Sequence, residues 1–395
     1  MHLVNNNDDV LPADADTATL VGRIFDPAVG GPCVVAVRGR ELADITEAFP
    51  SISDLFESED PVSAVRSAQA ARTWNLDEVL ESSLSEGTAG PYLLAPVDLS
   101  VLKAAGVTFA TSLMERLIEE RAGGDPAKAD QLRGELESVL GAEISSIVPG
   151  SPEAARLKAD LQERGLWSQY LEVGLGPDPE VFTKAPVLSA VGCGQQIGVA
   201  EVSSWNNPEP EVAVVITSTG RIVGATLGND VNLRDVEGRS ALLLPKAKDN
   251  NASAAAGPFV RLLDENFTLD DVRNAEVRLE VLGEDDGFVM DGVSHMDQIS
   301  RDPAELASYA VGDSHQYPDG ILLYTGTLFS PTQDRDGEGM GFTHRLGDVV
   351  RISSPQLGML ANRVNQSEKA PRWEFGLRSF IRNLHERGLT GKVGA

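Results

Sequence analysis

Cysteine is nearly missing from this chain. Cys33 and Cys193 are the only two in 395 residues, far apart and in no CxxC pair, which argues against both a disulfide framework and a thiolate zinc site. Aromatic residues make up only 5%, so a core has to be built from Val, Leu, Ile and Ala. Basic residues are scarce beside acidic ones, 33 against 60, for a formal net charge of −27. A surface of that sign repels phosphate backbones and anionic membranes, so neither nucleic acid nor a membrane is an expected partner. The acidity reads instead as a solubility feature. No apolar run approaches the roughly 20 residues needed to cross a bilayer. The opening MHLVNNNDDVLPADAD lacks a basic and apolar leader pattern. A cytoplasmic protein is expected.

What is present is a chain too long for one small core, with 42% apolar residues to fill its interior. We read residues 1–95 as a small mixed N-terminal module, with TLVGRIFDP and GGPCVVAVRGRELADIT as short strands and a short helix beginning near Asp54. Residues 96–395 read as the catalytic domain, with a helical insertion over about 111–170. There Leu113, Leu117 and Ile118 form one apolar stripe, with Glu115, Glu119 and Glu120 off it. Leu132, Leu136 and Leu140 follow at helical spacing, and Ser151 caps a further helix with Pro152 at its first position. From about 180 the chain is β-rich: VAVVITS, RIVGATLG, AEVRLEV, GFVMDG, GILLYTG and DVVRISS read as short strands. The sparse helices there exclude a doubly wound nucleotide fold. Near the C-terminus Trp373, Leu377, Phe380, Ile381 and Leu384 share a helical face suited to packing or dimerisation.

The segment NPEPEVAVVITSTGRIVGATLGNDVNLRD carries the most chemistry. Glu209 and Glu211 are two apart, so on a strand they leave the same face. A two-residue hairpin loop at Thr219–Gly220 would set Glu209 opposite Asp230 and Glu211 opposite Gly228, with opposed Cβ atoms about 5 Å apart. Three carboxylates would converge beside a glycine that leaves room. Such a cluster needs a cation, and hard oxygen ligands suit Mg²⁺, with Mn²⁺ or Ca²⁺ as substitutes. The same spacing also suits a solvated acidic hairpin. Lys248 follows; beside a dication its pKa should fall, making it a candidate base, though it is equally readable as a surface lysine. Glu180, in DPEVFTKAP, is a second candidate acid or base. Gly326 and Thr327 end the LLYTG strand and offer an N–H and a hydroxyl to a carboxylate.

In combination these motifs resemble the fumarylacetoacetate hydrolase superfamily. The matches are Glu209-x-Glu211, the G-N-D-x-x-x-R-D run from Gly228 to Asp235, Lys248 with the later GPF, the TGT stretch at 325–327 and the LGD…LG.L.N.V ending at 346–364. The resemblance covers roughly residues 95–365. It implies an α+β, β-rich mixed fold with a rolled sheet around the site, and a homodimer or dimer of dimers. It also implies metal ligation by Glu209, Glu211 and Asp230, with the active-site lysine at Lys248. APVDLSVLKAAGVTFATSLMERLIEER, SHMDQISRDP and HQYPDG resemble the 2-keto-3-deoxy-pentonate dehydratase branch, whose active-site glutamate falls on Glu180. Thr108 and Arg116, in and just after the GVTF stretch, are candidates for holding the substrate acid with Gly326 and Thr327. Arg116 has the alternative of pairing with Glu119 or Glu120.

The expected reaction is therefore dehydration of a small 2-oxo sugar acid, a 2-keto-3-deoxy-pentonate, to 2,5-dioxopentanoate. The rival is hydrolysis of an acylpyruvate or 2,4-diketo acid. Carbon–carbon hydrolases of the superfamily use a His–Glu pair on a lid, and none of His2, His295, His315, His344 and His385 lies near the GVTF stretch or the metal motif.

Overall fold

The computed structural model describes residues 2–85, 89–134, 147–329, 331, 333–337 and 339–394. Leu136 and Leu140 of the expected helical insertion lie outside these. The architecture is a mixed α/β fold of two large open sheets, neither closed into a barrel.

The larger sheet runs, edge to edge, through Thr73–Asn75, Glu41–Asp44, Gly31–Arg38, Leu20–Asp26, Ala254–Leu262, Ile222–Asp230, Pro210–Ile216, Ile321–Tyr324, Val101–Gly106 and Glu180–Ala185. Its middle strands are buried along their whole length, which is why PEVAVVI reads as a nearly continuous apolar run. The N-terminal strands do not form a sheet of their own: Leu20 and Val21 pair with Arg261 and Val260 of the Ala254–Leu262 strand.

A five-stranded sheet, ordered Val289–His295, Glu276–Leu282, Val349–Ser354, Gly358–Gln366 and Gln196–Val199, covers one face of the first. Strand alternation divides the core between the two faces. Val212, Val214 and Ile216 join Val277, Leu279, Val281 and Ile352 in the layer between sheets. Ala213 and Val215 point the other way, toward Ile52, Leu55 and Phe56 of the Ile52–Glu57 helix. Glu209 and Glu211 share the parity of Ala213, so they emerge on the face away from the second sheet.

The ligand-bearing hairpin has the expected register but a different turn. Glu211 pairs with Gly228 and Pro210 with Asn229, and the Asp230 N–H donates to the Glu209 carbonyl at 3.1 Å. The loop is Ser218-Thr219-Gly220, closed by the Thr217 N–H donating to Arg221 O at 2.9 Å, with Gly220 at φ +83°. It therefore has three residues rather than two, with glycine taking the left-handed position that such loops need. An irregularity between Val215 and Ile216 absorbs the extra residue and restores the pairing farther along the strands.

The helical segment begins at Ala110–Ala122, where Leu113, Leu117 and Ile118 are buried as the stripe implied. A helical stretch at 126–134 follows, then Pro152–Glu163, capped by the Ser151 hydroxyl, and Gln169–Leu175. In the Leu377–Glu386 helix only Phe380, Asn383 and Leu384 are buried; Trp373, Leu377 and Ile381 are about half exposed. No helix among the described residues is long and apolar enough to cross a membrane.

Candidate metal centre

Adjacent strands bring Glu209, Glu211 and Asp230 together at their ends. One carboxylate oxygen from each lies within 4.8 Å of the others, and all three residues are buried. Gly228 makes this possible: a Cβ there would fall 2.0 Å from the Tyr324 ring, and that ring is pinned by its hydroxyl donating to Ala255 O at 2.8 Å.

The anions are unequally neutralised. Lys248 Nζ lies 2.5 Å from Glu209 Oε2 and 3.1 Å from Asp230 Oδ2. Lys184, wholly buried, reaches Asp230 Oδ1 at 2.7 Å and is locked by the carbonyls of Val231 and Lys248. Burial disfavours the charge on Asp230, but the two ammonium groups outweigh it and hold its pKa below the ordinary value. Glu209 pairs with Lys248 and with Arg116, yet burial still pushes it up. Among the described residues Glu211 accepts only the Gly326 N–H, at 2.6 Å, and burial with Asp230 and Glu209 beside it pushes its pKa well above the ordinary carboxylate value. A buried all-oxygen triad with one carboxylate lacking a cationic partner fits a hard divalent ion such as Mg²⁺.

Lys248 departs from the sequence-based expectation. Burial opposes its ammonium, but Asp230 and Glu209 hold its pKa above the ordinary lysine value rather than below it. The carboxylates reach it directly, so a role as base requires another cation to take over their charge.

Glu180 sits across the same cavity, which is also lined by Arg116, Phe182, Glu209, Glu211, Glu237, Lys248, Gly326 and Thr327. Burial first, and then the Glu237 carboxylate, raise its pKa to about 7, close to the optimum for proton transfer at neutral pH. Gly106, opposite it in the sheet, gives its carboxylate space: a Cβ there would lie 2.0 Å from Glu180 Oε2. Gly106→Ala should therefore displace Glu180 and lower kcat by about ten- to a hundredfold with metal affinity unchanged. Steady-state kinetics alongside Mg²⁺ titration would check this, and an unchanged kcat would remove Glu180 from the chemistry.

The structure separates the other expected site residues. Gly326 and Thr327 line the cavity, and Gly326, at φ +97°, has no room for a side chain because Thr108 Oγ1 would be 2.0 Å from its Cβ. Thr108 itself does not line the cavity; its hydroxyl donates to Thr325 O at 2.8 Å, so it braces the 325–327 turn. Arg116 lines the cavity but meets three carboxylates: Glu119 at 2.5 Å, Glu237 at 3.0 Å, and Glu209. The local Glu119 pair foreseen as an alternative thus coexists with a reach to a metal ligand. His344 is buried against Phe342 and Asp348, the other four histidines are exposed, and none lines the cavity.

Sequence reasoning missed Lys184, Phe182 and Glu237. For the first two a signal existed: Glu180, Phe182 and Lys184 alternate along one strand, and so share a face. Nor was it legible that Glu115 and Glu119 are buried. Glu119 pairs with Arg116 and Arg234, and Glu115 with Arg133 and Arg234.

Comparison with known proteins fits this geometry. The family model described as fumarylacetoacetate (FAA) hydrolase C-terminal matches residues 160–365, just over half of the chain. The chain belongs to the fumarylacetoacetate hydrolase family. Among its relatives, a 2-dehydro-3-deoxy-D-arabinonate dehydratase of Saccharolobus solfataricus is 33% identical over 194 residues, covering 48% of this chain and 60% of that protein. A probable 2-keto-3-deoxyxylonate dehydratase of Haloferax volcanii is 34% identical over 205 residues, covering 51% and 66%. The matched region thus spans less than two thirds of either relative. The solved structure of a 2-keto-3-deoxy-D-arabinonate dehydratase complexed with magnesium and 2,5-dioxopentanoate aligns with a TM-score of 0.60 at 21% identity, over 88% of this chain and 99% of that one. At that identity the likeness is one of fold: this fumarylacetoacetate hydrolase family member shares its architecture.

Proposed function

We propose that the protein is a Mg²⁺-dependent hydro-lyase that dehydrates a 2-keto-3-deoxy-pentonate to 2,5-dioxopentanoate. The observation that carries this reading is one cavity holding the Glu209–Glu211–Asp230 triad together with two proton-transfer groups, Lys248 and Glu180. The dehydratases named among the relatives support it.

A bound Mg²⁺ would hold the 2-oxo acid and polarise its ketone, acidifying the C3 protons. The protein's own groups then move protons. One of Lys248 and Glu180 takes a proton from C3, and the other gives one to the hydroxyl leaving C4, so that water departs and a C3–C4 double bond remains. Moving a proton from C5 to C3 converts the resulting allylic alcohol to an enol, which closes to the aldehyde. Glu180, poised near neutrality, can serve in either direction. The Thr327 hydroxyl lines the cavity and suits the substrate carboxylate, whereas the Gly326 N–H is already given to Glu211.

The test is incubation with a panel of 2-keto-3-deoxy sugar acids and 2,4-diketo acids, with Mg²⁺ or with chelator. We expect loss of one water from a pentonate, abolished by chelation and restored by Mg²⁺. Cleavage of a diketo acid into two carbon fragments would instead make the protein a hydrolase, and full activity after exhaustive chelation would remove the metal from the mechanism.

A further inference from the structure

Two carboxylates on the cavity wall have more acceptor capacity than the protein fills. Glu237 ends the Arg234–Glu237 helix and is 3% exposed. Its one cationic partner among the described residues is Arg116, 3.0 Å from Oε2. That approach lacks hydrogen-bond geometry, so the buried Oε2 has no donor. Glu180 faces the same space, and among the described residues no side-chain hydrogen bond reaches its carboxylate. Of the remaining acids, Glu209 accepts from Lys248 and Glu211 from the Gly326 N–H; Asp230 Oδ2 accepts from Lys248, while its Oδ1, also without a donor and 2.7 Å from Lys184, belongs to the carboxylate cluster suited to the cation rather than to the far wall.

A buried acceptor without a donor is costly, and in a cavity it marks where a donor arrives from outside. An acyl or diketo tail offers only carbonyl oxygens and C–H groups there; a hydroxylated tail offers O–H donors. We propose that Glu237 is a specificity-determining residue that accepts a hydrogen bond from a tail hydroxyl of the substrate, the C5 hydroxyl of a 2-keto-3-deoxy-pentonate. The C4 hydroxyl is the one that leaves and belongs with the proton-transfer groups, so C5 carries the donor that persists through the reaction. Arg116 holds the Glu237 carboxylate toward the cavity. A site built to bond a hydroxyl rejects the analogue lacking it far better than an apolar pocket does. This inference rests on the dehydratase reading and narrows its substrate to acids hydroxylated beyond C4.

The test compares wild type and Glu237→Gln, loaded with Mg²⁺, on a 2-keto-3-deoxy-pentonate and on 4-hydroxy-2-oxopentanoate, which keeps the C4 hydroxyl but carries a methyl at C5. Pyruvate, as a competitive inhibitor, reports the acid-binding end alone. We expect KM for the pentonate to rise about tenfold, the usual scale for one hydrogen bond to a charged group. KM for the methyl analogue and Ki for pyruvate should stay within about twofold. Equal shifts for both substrates, a parallel rise in pyruvate Ki, or no shift at all would overturn the assignment. If Glu237→Gln proves unfolded by circular dichroism, Glu237→Asp keeps the charge for Arg116 while withdrawing the carboxylate, and the same comparison decides. A wild-type protein that turns over neither acid defeats the dehydratase reading itself, and the inference with it.

Discussion

Replacing Lys248 with methionine should leave a protein that still folds with Mg²⁺ present but has lost at least about a hundredfold in kcat, in line with general acid–base contributions. The methionine stem fills the space beside Phe182, over whose ring the ammonium lies at 5.9 Å, so packing is retained. What disappears is a buried cation between Glu209 and Asp230. Stranding buried charges costs about 3–5 kcal/mol when nothing replaces the lost partner; a divalent ion on the same carboxylates would replace it. The melting temperature of the variant should therefore depend on Mg²⁺ more steeply than that of wild type. Lys246→Met is the control, since Lys246 is exposed two positions away and should be kinetically silent. Equal activity of the two variants, or a Lys248→Met protein that stays unfolded in Mg²⁺, would show that Lys248 is a structural cation only.

The second large effect separates two ligands that the sequence alone would treat alike. Asp230→Asn should remove metal binding and activity and also destabilise the metal-free protein by about 3–5 kcal/mol. It strips Lys184 of its only carboxylate partner among the described residues and deprives Lys248 of one of two. Glu211→Gln should weaken metal binding comparably but leave metal-free stability within about 1 kcal/mol of wild type, or improve it. Among the described residues Glu211 has no ammonium partner to strand, and burial already favours its neutral form; an amide keeps the acceptor for the Gly326 N–H without the charge. Thermal melts in chelator, followed by Mg²⁺ titration of each variant, measure both quantities. Equal destabilisation by the two substitutions would contradict the charge distribution described here.

These contrasts mark how far the sequence could be read. Strand alternation and the position of Gly228 were enough to bring Glu209, Glu211 and Asp230 to one place, because both follow from the period of two in a sheet. The turn was read wrongly, and the ladder irregularity near Val215 compensated for it, so the site register followed from an inexact route. Burial of charge was not legible at all. Glu115 and Glu119 lie off the apolar stripe of their helix yet are buried: Arg133 and Arg234 arrive from other segments, and Arg116 reaches Glu119 from one turn away on the same helix. Lys184 was hidden for the same reason: nothing local distinguishes a lysine destined for an interior aspartate from one bound for water. Thr108 was grouped with the substrate ligands through its neighbours, but its hydroxyl is committed to a backbone carbonyl.

The Ala254–Leu262 strand has a consequence for how this chain can be divided. One of its edges carries the ladder to Ile222–Asp230, with Ala254 directly opposite Asp230; its other edge meets Leu20 and Val21 at Arg261 and Val260, and Val191 at Ala255. The N-terminal segment therefore works as an edge cover. Cutting it away would uncover unpaired N–H and C=O groups at the Val260–Leu262 end of that strand, a surface that invites pairing with other chains. Loss of the first segment would thus first appear as self-association.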